Sequence, residues 1–205
     1  LMKHYPSTVQ EIRFFTTIQK GFRMPVFFVF LGTVFYWLIG RFFTQPPRYL
    51  TTGKIGEEEK VVNTTNAKAG FEYSDCYLYD NDARFVFNFI RTSLNFGCIA
   101  ANYVESTGAK REGDHWHVDA RDTITGKPIK IRSKALINAC GPYVDVHNTL
   151  TQQTTPHHHV FSKGIHLIVD RITDSKRVLT FFASDGRLFF VIPMGPKTCI
   201  GTTDT

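Results

Sequence analysis

Hydrophobic positions follow three different patterns along the chain. The first is a continuous run, in which Val26, Phe27, Phe28, Val29, Phe30, Leu31, Val34, Phe35, Tyr36, Trp37, Leu38 and Ile39 crowd together between Arg23 and Arg41. The uncharged interval 24–40 is 17 residues long, at the short limit of the roughly 17 to 25 needed to cross a bilayer. Pro25, Gly32 and Thr33 interrupt it, and its aromatics are spread throughout instead of gathering at two ends. The pattern predicts that 24–43 forms a pair of helices packed in the fold or lying on a membrane surface without crossing it. Residues 44–66 read as a polar connection with a short helix over 57–61.

A helical period appears next. Asp80, Asn81 and Asp82 offer capping oxygens ahead of Phe85, Val86, Phe89, Ile90 and Leu94, which share one helical face, and Gly97 ends the run. Residues 98–104 read as a short apolar strand, which completes the helix-then-strand half of an α/β unit. Trp116, Val118 and Ala120 alternate with polar neighbours, Thr125-Gly126 turns the chain, and Ile129 and Ile131 alternate on the return, as in a hairpin. The run 135–141 is apolar on both faces and ends in Gly141-Pro142, like a buried sheet strand delivering its C-terminal end to a ligand crevice. From about Thr151 the pattern turns to alternating strands over 164–169, 178–183, 188–192 and 198–201, with a turn at Ser184-Asp185-Gly186. That switch marks a domain boundary. The whole reads as α/β with α+β character.

Composition narrows the partners. The 205 residues are 42% hydrophobic and 20% charged, with a formal charge of +6 and a pI near 9.2. A basic balance suits nucleic acid, an anionic membrane surface or a phosphorylated substrate. The cations are scattered, without zinc-finger spacing or a basic run interleaved with aromatics, which excludes nucleic acid. Cys76, Cys98, Cys140 and Cys199 lie far apart in apolar or strand-like surroundings and read as reduced core thiols of an interior compartment, with two disulfides as the alternative. Side chains of the consecutive His157, His158 and His159 diverge, with no carboxylate or thiolate partner near, so no metal site is expected. A start at Leu1 and an end at Thr205 straight after a strand suggest a piece continued at both ends.

Three blocks together resemble the flavin-dependent glycerol-3-phosphate dehydrogenases and the related glycerophosphate oxidases. The first is Gly70-Phe71-Glu72-Tyr73-Ser74-Asp75-Cys76, followed by Asp82-Ala83-Arg84. The second is Leu136-Ile137-Asn138-Ala139-Cys140-Gly141-Pro142-Tyr143-Val144. The third comprises Ser162-Lys163-Gly164-Ile165-His166, Phe189-Phe190-Val191-Ile192-Pro193 and Gly201-Thr202-Thr203-Asp204.

The resemblance implies FAD as cofactor, part of a glutathione-reductase-type FAD-binding domain, and part of an antiparallel β-sheet substrate domain. It divides the chain into a substrate-side helical and connecting region (1–69), part of the FAD-binding domain (70–150), part of the substrate sheet (151–197) and a return to the FAD-binding domain (198–205). Ala139, Cys140, Gly141 and Pro142 would pack against the flavin dinucleotide, where glycine lets the backbone approach closely. Cys140 stands where the family pattern carries threonine, a stronger hydrogen-bond donor than a thiol. Gly201, Thr202, Thr203 and Asp204 resemble a second flavin-contacting loop, although Thr and Asp also cap helices. Asn102, Tyr103 and Val104 would line the adenine end. His166 would sit beside the substrate as the group that takes the hydroxyl proton, though a lone histidine in an apolar strand also suits a core. Arg187 suits a substrate phosphate or solvent equally well.

No Gly-x-Gly-x-x-Gly fingerprint follows a strand in this chain, and in the resembling family that pyrophosphate-binding element lies N-terminal to the matching region. The implied reaction oxidises sn-glycerol 3-phosphate to dihydroxyacetone phosphate, with electrons passing from FAD to a quinone, or to oxygen in an oxidase. The implied setting is a membrane surface, either the mitochondrial inner membrane or the cytoplasmic face of a bacterial inner membrane, with the protein as a homodimer. A non-catalytic, membrane-anchored binding piece is the rival reading.

Overall fold

In the computed structural model, which describes residues 1–183 and 186–201, the chain divides into two compact units. One combines Leu1–Phe87 with Lys163–Thr205, and the other is Asn88–Ser162. Residues 70–87, grouped by the sequence reading with 88–150, thus belong to the unit that also holds the C-terminal strands.

The first unit is built on two long strands that the hydrophobic pattern did not reveal, β1 (Val9–Gln19) and β3 (Ala67–Leu78). They pair antiparallel from Val9 opposite Leu78 to Gln19 opposite Ala67, with an irregularity at Ile18 and Gln19. Strand β2 (Arg48–Leu50) joins the outer edge of β3, and β1 runs parallel to β8 (Val178–Phe182) on its other side. Three antiparallel neighbours follow, β9 (Leu188–Met194), β10 (Lys197–Gly201) and β7 (Leu167–Asp170). The order across the seven-stranded sheet is β2-β3-β1-β8-β9-β10-β7. The expected strands over 178–183, 188–192 and 198–201 are therefore present, and the one expected over 164–169 begins only at Leu167.

Phe15, Leu50, Ile55, Val62, Leu179 and Val191 form the core of this unit. Helix α2 (Thr52–Glu58) starts earlier than the expected 57–61 because the Thr51 hydroxyl accepts from Lys54 N–H at 3.3 Å and caps the first turn. It presses Ile55 onto Gly70, where an added Cβ would stand 3.0 Å from Ile55 Cδ1. The same region buries charge. Glu72 accepts from Arg48 at 2.6 Å and pairs with Arg13 at 3.3 Å and Arg177 at 3.1 Å, while Arg177 also reaches Glu58 at 2.7 Å and Glu59 at 3.0 Å. Buried Glu59 further accepts from the Ser175 hydroxyl at 2.5 Å. These bonds give the buried carboxylates the partners that dehydration demands.

Residues 24–43 hold one helix, α1 (Val26–Ile39), in place of the expected pair. At 1.5 Å per residue its 14 residues extend about 21 Å, short of the roughly 30 Å hydrocarbon layer. Among the described residues no helix is long and apolar enough to cross a membrane.

The second unit contains a three-stranded antiparallel sheet, β4 (Val104–Glu112), β5 (His115–Asp122) and β6 (Pro128–Ser133), in that order. The expected hairpin is β5-β6, with Asp122 Oδ1 accepting from Ile124 N–H at 2.8 Å and Thr125 N–H at 3.1 Å to hold its turn. Helix α3 (Asp82–Leu94) forms where its caps and spacing place it, and the Asn81 side chain accepts from Arg84 N–H at 2.8 Å.

Two expected strands are absent among the described residues. Residues 98–102 and 134–140 have no regular structure, and Ile99 and Ile137 are 93% and 85% exposed. An apolar run becomes a strand only when a neighbouring strand takes up its N–H and C=O groups, and neither segment appears in a sheet of this structure. The cysteines differ from expectation as well. Cys76, Cys98 and Cys140 are exposed, only Cys199 is buried, and all four are free thiols.

Candidate functional site

At the far end of the large sheet, β10 and β7 place Ile200 opposite Leu167. The next step of the same register sets Gly201 across from His166, just before β7. A Cβ built on Gly201 would overlap Cδ2 of the imidazole and lie 3.0 Å from both its Cγ and Nε2. The ring therefore occupies the space that any side chain at position 201 would need. His166 itself is exposed, so the reading of it as a core histidine does not hold.

Beside this pair lies a cleft of about 150 Å³ lined by Ile165, Leu167, Arg187, Leu188, Phe189 and Gly201 among others. Arg187 lies just ahead of β9, and its carbonyl accepts from Ala183 N–H at 2.7 Å. The β7-β10 register thus brings His166 and Gly201 together, beside the cleft that Gly201 and Arg187 line. Thr202, Thr203 and Asp204 lie outside the described residues, as do Ser184 and Asp185 of the expected turn.

The second unit carries the other set. Asn138 organises it: its amide Nδ2 donates to Val144 O at 2.9 Å and Asn148 Oδ1 at 2.8 Å, and its Oδ1 accepts from Cys140 N–H at 3.2 Å. These bonds hold Ala139 and Cys140 against a 3₁₀ turn at Gly141–Tyr143, which contains Pro142 and leads into α4 (Val144–Leu150). Gly141 has φ +53, a left-handed conformation that favours glycine, and nothing lies within 4 Å of where its Cβ would stand. A flat or phosphorylated group can approach the backbone there without obstruction.

In the same unit Tyr103 is also left-handed, at φ +59. Its carbonyl accepts from Thr123 N–H at 2.8 Å and from the Thr123 hydroxyl at 3.1 Å. Asn102, Tyr103 and Val104 are all exposed.

Sequence reasoning missed two features here. Asn138 is an amide inside an apolar run, and that anomaly was the available signal for a structural anchor. His147 on α4 is buried, with Nε2 3.0 Å from the Ser106 hydroxyl, and nothing in the pattern announced it. A third detail corrects the treatment of the histidine tract. A carboxylate does lie near, since Asp145 Oδ2 accepts from His159 N–H at 2.8 Å and Asp145 Oδ1 is 3.9 Å from His158 Nδ1.

The two units have the architecture of a mixed α/β flavoprotein, and the comparisons with known proteins agree. Residues 38–205 match the model of the FAD dependent oxidoreductase family, and the chain belongs to that family. It is 31% identical over 206 residues to the aerobic glycerol-3-phosphate dehydrogenase of Escherichia coli (strain K12), covering all of this chain and 40% of that protein. It is 34% identical over 164 residues to the alpha-glycerophosphate oxidase of Streptococcus pneumoniae serotype 4, covering 77% of this chain and 27% of that protein. The chain thus spans well under half the length of these relatives. In fold it resembles the FAD-bound L-alpha-glycerophosphate oxidase of Mycoplasma pneumoniae, with a TM-score of 0.64 at 16% identity over 97% of this chain and 50% of that one. The family is FAD-dependent, and the unobstructed left-handed Gly141 fits a flavin's need for close backbone approach.

Proposed function

We propose that this chain is the part of a glycerol-3-phosphate dehydrogenase that holds its general base and a share of its flavin contacts. The observation that carries this is the packing of the His166 imidazole over Gly201 beside the cleft that Arg187 lines. In the oxidation of sn-glycerol 3-phosphate the hydrogen on the secondary carbon leaves with its electron pair, and the hydroxyl proton must go elsewhere as the C=O of dihydroxyacetone phosphate forms. When bound, FAD supplies the two-electron acceptor for that hydrogen.

His166 takes the hydroxyl proton, since a ring nitrogen of neutral imidazole accepts one and this ring is exposed beside the cleft. Arg187 pairs with the substrate phosphate through its planar fork of donors. Ala139, Cys140, Gly141 and Pro142 would hold the dinucleotide, with Asn102, Tyr103 and Val104 towards its adenine; the resemblance assigns flavin contacts to Gly201 as well, and to Thr202, Thr203 and Asp204, which lie outside the described residues. A quinone is the onward electron acceptor, which sets the protein at a membrane surface, in mitochondria or at the cytoplasmic face of a bacterial inner membrane, as a homodimer.

Anaerobic addition of glycerol 3-phosphate to the intact protein should bleach its visible flavin band. The His166→Ala variant, with flavin content and Tm unchanged, should do so about 100 to 10,000 times more slowly. A variant that keeps its flavin and near wild-type turnover removes His166 from the chemistry.

A further inference from the structure

The parallel pairing of β1 with β8 sends the carboxyl ends of both strands to the same end of the sheet. Gln19 closes β1 and Phe182 closes β8, and beside them opens a cleft of about 1230 Å³ whose walls also include Lys20, Phe22, Arg23, Asn63 and Asn66. The crevice outside the carboxyl ends of strands is where open α/β sheets take their ligands. This cleft is separate from the one beside His166. From β1 to β7 the sheet order runs through β8, β9 and β10, which is four steps of about 4.8 Å, or about 19 Å along the sheet, further than a three-carbon phosphate reaches.

Its walls are built locally. Gly21, at φ +88, gives the turn after β1 the left-handed residue it needs, and Phe22 N–H closes that turn on Gln19 O at 3.2 Å. Lys20 N–H donates to Asn66 O at 2.7 Å, which ties the turn to the segment carrying both asparagines. Asn63 Oδ1 accepts from Thr65 N–H at 3.0 Å and leaves its Nδ2 as a donor. The Phe22 and Phe182 rings lie 4.6 Å apart, tilted by 46°, and form an apolar wall. Lys20 and Arg23 are exposed and form no ion pair among the described residues, and no described Asp or Glu lines the cleft.

We infer that this cleft binds a nucleoside phosphate, with the phosphate on Lys20 and Arg23, the base against the Phe22 and Phe182 rings, and the carboxamides of Asn63 and Asn66 on the polar edges of base and sugar. Two cations with no acid beside them call for an anion of more than one charge, and the planar fork of arginine with the compact charge of lysine suits phosphate. Phosphate alone leaves the rest of the cleft unexplained. Aromatic rings offer a surface on which any base can stack, and carboxamides both donate and accept, as the edges of a base and a ribose require. The space is ample, since ligand pockets commonly measure about 300 to 1,000 Å³. The adenylate half of FAD has the same chemistry, but the resemblance assigns it to Asn102, Tyr103 and Val104 in the other unit, which leaves this cleft to a free nucleotide.

Calorimetric titration of the intact, flavin-loaded protein with ADP tests this. ADP should bind with the flavin retained, and salt should weaken it. Adenosine, which lacks the phosphates, and ribose 5-phosphate, which lacks the base, should each bind at least about tenfold more weakly. A double Lys20→Ala, Arg23→Ala variant should lose about tenfold or more. Phe22→Ala should lose about fivefold or more, the contribution of stacking one base. Flavin content and Tm verify that each variant is folded, and the double variant, altered only at exposed positions, carries the test if Phe22→Ala does not fold. Absence of ADP binding by the wild type overturns the inference, as does unchanged affinity in the double variant or equal affinity for ribose 5-phosphate. Release of FAD on addition of ADP would give the cleft to the cofactor, and competition by glycerol 3-phosphate would give it to the substrate; either result overturns the inference too. Because the titration needs no turnover, its outcome is independent of the reaction proposed for His166.

Discussion

Replacing Gly201 by Ala tests whether the contact between Gly201 and His166 serves the chemistry. The new methyl would stand 3.0 Å from His166 Cγ and Nε2, with Cδ2 nearer still. Carbon contacts relax to about 3.5 to 4.0 Å, so the ring, whose Cδ2 is the nearest atom, must retreat by about 1 to 1.5 Å. Stability should change little, because position 201 ends a strand whose backbone accepts alanine and because the exposed imidazole is free to rotate. The loss of chain entropy in the unfolded state should offset part of the crowding, leaving a net change within about 1 kcal/mol. Catalysis is less tolerant, since a displacement of about 1 Å can cost on the order of 100-fold.

The expected result is therefore a Gly201→Ala enzyme with near-normal Tm and a kcat lowered by about 30 to 100-fold. Because Gly201 is also proposed to touch the flavin, a fall in kcat alone is ambiguous. Flavin content and a double-mutant cycle with His166→Ala resolve it. If Gly201→Ala acts by moving the imidazole, it should add almost nothing once the imidazole is gone. An unchanged kcat in the single variant, or full additivity in the double, refutes the reasoning.

Other consequences concern the sheet that carries this edge. Arg177→Met should destabilise the protein by about 3 kcal/mol, measured by urea unfolding, because buried Glu59 and Glu72 each lose a partner; a cost under about 1 kcal/mol would show the network to be expendable. Burial pushes the Glu58 carboxyl up, but the hydrogen bond from Arg48 and the charges of Arg177 and Arg48 outweigh it and hold the group below its ordinary 4.5. A carboxyl lowered in the folded state contributes stability that is present above its unfolded pKa and lost as pH falls through the folded one. Glu58→Gln should accordingly flatten the acid limb of the Tm-pH profile and leave the neutral region parallel to wild type. Burial, with the Asp75 charge beside it, raises Tyr73 to about 12. Its contribution is present below the ordinary value of 10 and lost as pH rises towards about 12, so ultraviolet titration should show a late-ionising tyrosine that Tyr73→Phe removes.

Which elements were legible in the sequence depended on whether their stability is local. Helix α3 and the β5-β6 hairpin carry their own signals, the caps at 80–82, the shared helical face and the Thr125-Gly126 turn, and they form where those signals lie. Strands β1 and β3 give no such signal, because their interiors contain Thr16, Thr17, Glu72 and Ser74, all buried. The carboxylate there is made tolerable by arginines from β1, β2 and a residue just ahead of β8, which no local window includes. The runs at 98–104 and 135–141 fail for the converse reason, since apolar composition supplies a surface to bury but not the partner strand that a backbone needs. The candidate site divides along the same line. His166, Arg187, Gly141 and Gly201 could each be named from motif blocks. That the ring of His166 occupies the space a side chain at 201 would need is a property of the β7-β10 register. A glycine read in isolation as a point of close approach to a cofactor thus has a second duty, to leave room for the His166 ring. The two duties make different demands. A cofactor contact tolerates any substitution that keeps the flavin bound, whereas room for the imidazole tolerates none with a Cβ, and the cycle between positions 166 and 201 separates them.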